Sequence, residues 1–381
     1  MTETSAPAPT PRASAPRAAA PRSGSPSPLR SLFSGDRVTS GRRRNLQLIL
    51  AGIWLLDGVL QFQPVMFTKN FAQMMIYPTI AGNPQVIASP MNWAHTIILN
   101  HPVGTNTAFA CIQVALGLAI AYRPTARLGL AASIPWSVAV WWFGEGLGGV
   151  LSGGADPLTG APGAVILYAL LAVLLWPTGE RADKNAPECA TNHPDDRNSS
   201  SAPFEAARFV GARAARALWL ILWGSLVYFT FASGNDAPGA LSGQITDLVD
   251  GEPPWLASIM NHAANLTNGR DLGISIVLGV LLAGIAVSVY LPWTRARRTW
   301  LVIALVFSAV IWVVVQAFGG VFLGMATDPN TGPLLALLAL AYWPPIHAAP
   351  RAADPGTDSV AADGGRTPRG GRLSPRATPS P

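Results

Sequence analysis

WWFGEGLGGVLSGGADPLTGAPG (Trp141–Gly163) and VVQAFGGVFLGMATDPNTGP (Val314–Pro333) follow one order: an apolar run, Gly-Gly, small residues, Asp-Pro, Thr-Gly, Pro. The likeness extends on both sides. LLAVLLWP ending at Pro177 answers LALLALAYWP ending at Pro344, and Arg44–Gly52 (RNLQLILAG) answers Arg216–Gly224 (RALWLILWG). Asn100-His101 aligns with Asn261-His262 across a shorter intervening segment. This pattern reads as a tandem duplication of one unit.

Composition says what the unit is made of. Half of the 381 residues are apolar and only 12% are charged, against roughly 25% in soluble domains. Runs such as LVIALVFSAVIWVVVQAF match the roughly 20 residues needed to cross a hydrocarbon core of about 30 Å. The expected class is an all-α integral membrane protein of about eight transmembrane helices, near 45–62, 105–122, 127–145, 162–176, 217–233, 272–291, 299–318 and 332–343. They form two parallel four-helix repeats, because an even helix count per unit makes both copies insert in the same sense. The expected boundaries are a disordered basic tail over 1–43, repeats over 44–177 and 216–344, a linker over 178–215 and a disordered tail over 345–381.

Charge sets the orientation. With both termini in the cytoplasm, every one of the 26 lysines and arginines lies on that side except Lys69 and Arg270, the positive-inside pattern. The net charge of +6 therefore points to a lipid bilayer, not nucleic acid. Arg42, Arg43 and Arg44 beside the first helix suit anionic lipid or a cytoplasmic partner, or simply enforce topology. Ala, Gly, Pro, Arg and Trp richness suggests a bacterial genome rich in GC, and hence the bacterial plasma membrane. Cys111 and Cys189 give no disulfide framework; the first reads as an inert buried thiol.

Candidate site residues are few. Asp57 lies deep in the first helix, where a carboxylate is costly unless paired or wetted, and Gln61 one turn on is its expected partner. Glu145 ends the third helix. Their counterparts in the second unit are Phe229 and Gln316, so acid chemistry belongs to the first unit alone. The glycine stretches, with Gly148, Gly149, Gly319 and Gly320, suggest loops dipping in from the outer face, since irregular backbone at that depth must be covered or line a wet cavity. Asp156, Thr159, Asp328 and Thr331 would form the turns and cap the short helices that follow. His101 and His262 take matching outer positions and suit loop-pinning hydrogen bonds better than a metal, for which no ligand spacing is present.

Amphipathic stretches through Phe67, Phe71, Met74 and Met75, and through Leu241, Ile245, Leu248 and Val249, suit interfacial helices. Trp93 and Trp255 suit anchors at the interface.

The phrase LILAGIWLLDGVLQ and the second-helix phrase IQVALGLAIAYRPTAR resemble the DoxX-like family of bacterial membrane proteins, here as two copies over about 45–177 and 217–344. The resemblance implies a redox-linked membrane subunit associated with a quinone, working beside a membrane or soluble redox partner. It supplies no catalytic residues. The long outer segments and the repeated glycine loop depart from the family. Two other readings stand beside it: a small-solute or proton-linked transporter using Asp57, and a non-catalytic scaffold, either of which could form homo-oligomers. The sequence does not decide whether the protein is an enzyme.

Overall fold

The computed structural model describes residues 41–178 and 202–345. The tails and the middle of the linker, with Cys189, lie outside the described residues. Among the described residues every regular element is a helix, with no strand. The longer helices are α1 (Gly41–Leu60), α2 (Gln85–Asn100), α3 (Pro102–Ala121), α4 (Ala126–Phe143), α5 (Ala164–Leu174), α6 (Ala212–Ala232), α7 (Ala240–Thr246), α8 (Pro254–Thr267), α9 (Asp271–Val287), α10 (Thr294–Val314) and α11 (Thr331–Ala341).

Every segment expected to span is a helix. Four are both long and apolar enough to cross a membrane: α3, α6, α9 with its 3-10 extension to Tyr290, and α10. They keep apolar side chains on their outer faces, as with Val277 and Val280, each 67% exposed. Such faces suit contact with lipid, since a water-facing helix of that composition would not be stable alone. Helices α5 and α11 are apolar but have only 11 residues each, roughly 16 Å at 1.5 Å per residue. Cys111 is exposed on α3 rather than buried as the sequence suggested.

Packing follows a fixed order of partners. α1 packs on α3 and α4 on α5; α6 packs on α9 and α10 on α11. Small residues allow the close approaches. A Cβ on Gly117 would meet Leu55 at 2.7 Å, and one on Gly279 would meet Phe231 at 2.9 Å. Trp54, Tyr168, Trp219, Trp223 and Tyr342 form the buried centre where the two sets of helices join.

One end of the bundle is held by arginine. Arg42 donates to Leu340 O at the end of α11, Arg43 to Leu174 O and Trp176 O at the end of α5, and Arg44 to Ile120 O and Ala121 O at the end of α3. The last carbonyls of a helix lack intrahelical partners and carry partial negative charge, which a guanidinium satisfies on both counts. Arg43 is 1% exposed and also donates to Glu205 O, with the Glu205 carboxylate 3.7 Å away. Arg43 and Arg44 are therefore buried in helix packing among the described residues.

The amphipathic stretches are only partly regular. Phe71–Ile76 forms a π-helical turn and α7 is two turns long. Phe71, Leu241 and Ile245 are buried while Met74 and Leu248 are exposed. Helices α2 and α8 were not anticipated; Pro90 inside α2 and the sparse apolar pattern of both conceal them.

Candidate functional site

At the end opposite the arginines, α4 and α10 each run into a turn of left-handed backbone. Gly146, Leu147, Gly148 and Gly149 have φ of 56, 58, 63 and 73°, and Ala317, Phe318, Gly319 and Gly320 have 45, 57, 77 and 74°. Three of these eight residues carry a Cβ, which costs about 1–2 kcal/mol each in this region. Close packing holds the turns in place: a Cβ on Gly148 would collide with Pro162 O, and one on Gly319 would sit 2.6 Å from Asp328 O.

The same hydrogen bonds recur around both turns. Trp141 Nε1 donates to Pro162 O at 2.6 Å and Trp312 Nε1 to Pro329 O at 2.8 Å. Glu145 Oε1 accepts Val165 N–H at 3.1 Å and Gln316 Oε1 accepts Gly332 N–H at 3.1 Å. Both acceptors thus take an unpaired amide in the first turn of a short helix. This geometry pairs Pro162 with Pro329, so Asp156-Pro157 and Asp328-Pro329 are not equivalents, contrary to the sequence alignment. Asp156 instead accepts from Leu158 N at 2.8 Å and from Asn235 Nδ2 at 3.0 Å.

His101 and His262 also part company. His101 caps α2, whereas His262 lies inside α8, one residue after Asn261. Met91-Asn92 and Met260-Asn261 are the better match, with Met91 and Met260 both fully buried and each seven residues beyond the proline that precedes its helix.

A cavity of about 640 Å³ opens beside the first turn. Asp57, Glu145, Asp156 and Asp328 all line it, with Gly148, Gly149 and Thr159 among the walls. Gln316, Gly319, Gly320, Thr331, His101 and His262 do not. Gln316 is occupied otherwise: its Nε2 donates to Thr331 Oγ1 at 2.8 Å and to Leu158 O at 3.2 Å. Among the described residues, no group of three or more His, Cys, Asp or Glu is arranged to hold a metal ion.

Asp57 sits at the cavity floor, 1% exposed. Its Oδ2 accepts from Tyr168 Oη at 2.5 Å, while Oδ1 has no partner. Gln61, the expected partner, gives Asp57 only its backbone N–H, to the main-chain oxygen. Its own carbonyl is taken by Asn106 Nδ2 at 2.7 Å. Tyr168 was missed, although it is the one polar side chain in AVILYALLAVL and so stood out in the sequence. Its ring lies against Trp54 with centroids 4.3 Å apart.

Asp57 and Glu145 each lie close enough to Asp328 to feel its charge. Burial pushes Asp328 above the usual carboxylate range, partly offset by the Thr327 hydroxyl and the Asn330 N–H. Burial likewise raises Asp156, against the bonds from Leu158 and Asn235. A loop of the C-terminal half thus delivers a carboxylate into a cavity built mainly from the N-terminal half.

Comparison with protein-family models, curated proteins and solved structures gives no match to this chain. What it does must therefore be argued from the site.

Proposed function

We propose that the chain is a multi-pass plasma-membrane protein of two four-helix repeats with cytoplasmic termini, and that the cavity is the binding chamber of a proton-linked carrier for small solutes. The matched packing order and the paired left-handed turns support the repeat. The two short apolar helices are each preceded by a folded glycine loop that can occupy the remaining membrane depth, which supports eight passes. Gathering of arginines at one end supports the orientation.

The observation that carries the functional reading is Asp57. A carboxylate in the last turn of α1, buried, bonded to Tyr168 and facing a cavity with three further acids, can take up and release a proton as a ligand arrives. The alternative implied by the DoxX-like resemblance is a quinone chamber, favoured by the apolar walls and the unpartnered Nε1 groups of Trp54 and Trp136. A quinone presents two carbonyl acceptors, however, and most unpartnered atoms of this wall are acceptors too.

Proteoliposomes loaded with buffer and given a pH gradient decide between these readings. Three radiolabelled probes of one shape serve: benzylguanidinium, benzylurea and benzylsulfonate. The carrier reading expects at least one to accumulate above protein-free vesicles, and Asp57→Asn to abolish it. No accumulation of any probe, together with saturable binding of a ubiquinone analogue, overturns it.

A further inference from the structure

Which solute class the chamber selects can be argued further, and this inference rests on the binding-chamber reading. Among the described residues, every ionisable side chain lining the cavity is an acid, and no lysine, arginine or histidine faces it. Behind the acids stand buried acceptors without partners: Asp57 Oδ1, Asp156 Oδ2, Gln61 Oε1 and Gln113 Oε1. Asp57, Asp156, Gln61 and Gln113 are 1, 5, 3 and 8% exposed. A buried acceptor left unmade costs about 1–3 kcal/mol, so a ligand that brings donors removes a standing penalty. Trp54, Trp93, Phe109, Trp136 and Phe143 supply ring faces around the same space, and such faces attract cations within about 6 Å. Against them stand the two buried, unpartnered indole N–H groups of Trp54 and Trp136, which favour an acceptor on the ligand.

We propose that the cavity binds an organic cation bearing N–H donors, an ammonium or guanidinium group on a small apolar body. The charged head meets Asp57 and Asp328, and the body lies among the aromatic rings. Metal cations are the poorer fit, because the carboxylates are not gathered into a coordination set.

The test is equilibrium binding to the full-length protein in detergent, read from quenching of the cavity tryptophans, with the three benzyl probes. Benzylguanidinium should bind at least ten-fold more tightly than benzylurea, and benzylsulfonate should not bind. Asp57→Asn should remove most of that preference. Asp328→Asn, which leaves the Asp57–Tyr168 bond intact, should reduce it as well and guards against a folding defect in the first variant. Equal binding of all three probes, tighter binding of the anion, or a preference that survives both substitutions overturns the proposal. The two readings fail separately. Asp57-dependent transport of benzylurea or benzylsulfonate keeps the carrier and sinks the cation, whereas selective binding of benzylguanidinium without flux keeps the cation and sinks the carrier.

Discussion

Glu145 and Gln316 stand at the same bend of two similar turns, each accepting an amide from the helix that follows. Around Glu145 the space is open and lined by acids. Gln316 is 4% exposed: Trp312, Phe318, Phe322 and Trp255 form a chain of rings beside it with centroids 4.8 to 6.1 Å apart, and the amide bonds to Thr331, Leu158 and Gly332. Phe229 is buried at the position aligned with Asp57. One backbone plan thus serves as a chamber in the first half and as packing in the second. Polar groups that look superfluous in the chamber are those the packed half has replaced or paired.

The comparison breaks most sharply at the opposite end. Arg43 is 1% exposed and holds three carbonyls, so Arg43→Met should cost about 3 kcal/mol or more by stranding them, while Glu205 keeps Arg208 at 2.9 Å. Arg216, aligned with Arg44 in the second half, stacks over Tyr290 at 5.9 Å from the ring centroid, and Arg216→Met should cost less than about 1 kcal/mol. Thermal unfolding in detergent, followed by loss of monodisperse protein, measures both. Equal losses would mean that the two halves are braced alike.

The glycine turns should instead behave as twins. Gly148→Ala and Gly319→Ala each force a Cβ into left-handed backbone and against a carbonyl oxygen or peptide. Each should lose about 2–4 kcal/mol, seen as matched drops in melting temperature. A large loss at one and none at the other would show that the turns are not equivalent.

Swapping the side chains sharpens the contrast further. Gln316→Glu puts a carboxylate against Leu158 O and Thr331 Oγ1 and should cost about 1–3 kcal/mol at pH 8, recovered on acidification as the new acid is protonated. Glu145→Gln keeps an acceptor for Val165 N–H and should change stability by less than about 1 kcal/mol. Stability curves of the two variants at pH 5 and pH 8 check both expectations.

The long apolar helices, unlike α2 and α8, were legible because apolar runs of that length bounded by proline and arginine read as continuous helix. Asp57 and Glu145 stood out because acids are rare in and beside the apolar runs. The register of the glycine loops was not legible: Asp-Pro at residues 156–157 and at 328–329 look alike, and only the bonds from Trp141 and Trp312 show that Pro162 matches Pro329. The histidine pairing failed for a related reason, since a shared Asn-His dipeptide outweighed the less conspicuous Met-Asn that sets the burial of α2 and α8. Delivery of Asp328 into the other half's cavity is a tertiary event with no local signal. The arginines were seen, but their carbonyl partners were not legible, because positive charge beside an apolar helix gives one sequence pattern whether it meets lipid or helix ends.

The smallest expected effect concerns Asp328 itself. Burial raises its protonation midpoint in the folded state, so between the ordinary carboxylate value near 3.9 and the raised one the folded protein binds more protons than the unfolded chain. Stability must then fall as pH rises through that window, the reverse of an ion-paired aspartate. Asp57, Glu145 and Asp156 face the same cavity, so Asp328→Asn should make the melting temperature less dependent on pH without making it flat, and should raise it modestly at pH 7. The matching change in the packed half, Asp271→Asn, has the opposite expectation: Asp271 accepts the N–H groups of Gly239 and Leu241, each at 3.0 Å, and its loss should lower the melting temperature at pH 7. Melting curves from pH 4 to pH 8 for the two variants should diverge in sign. A parallel response would mean that the acids of the two halves are held in the same way, and the contrast between chamber and packing would fail at its most sensitive point.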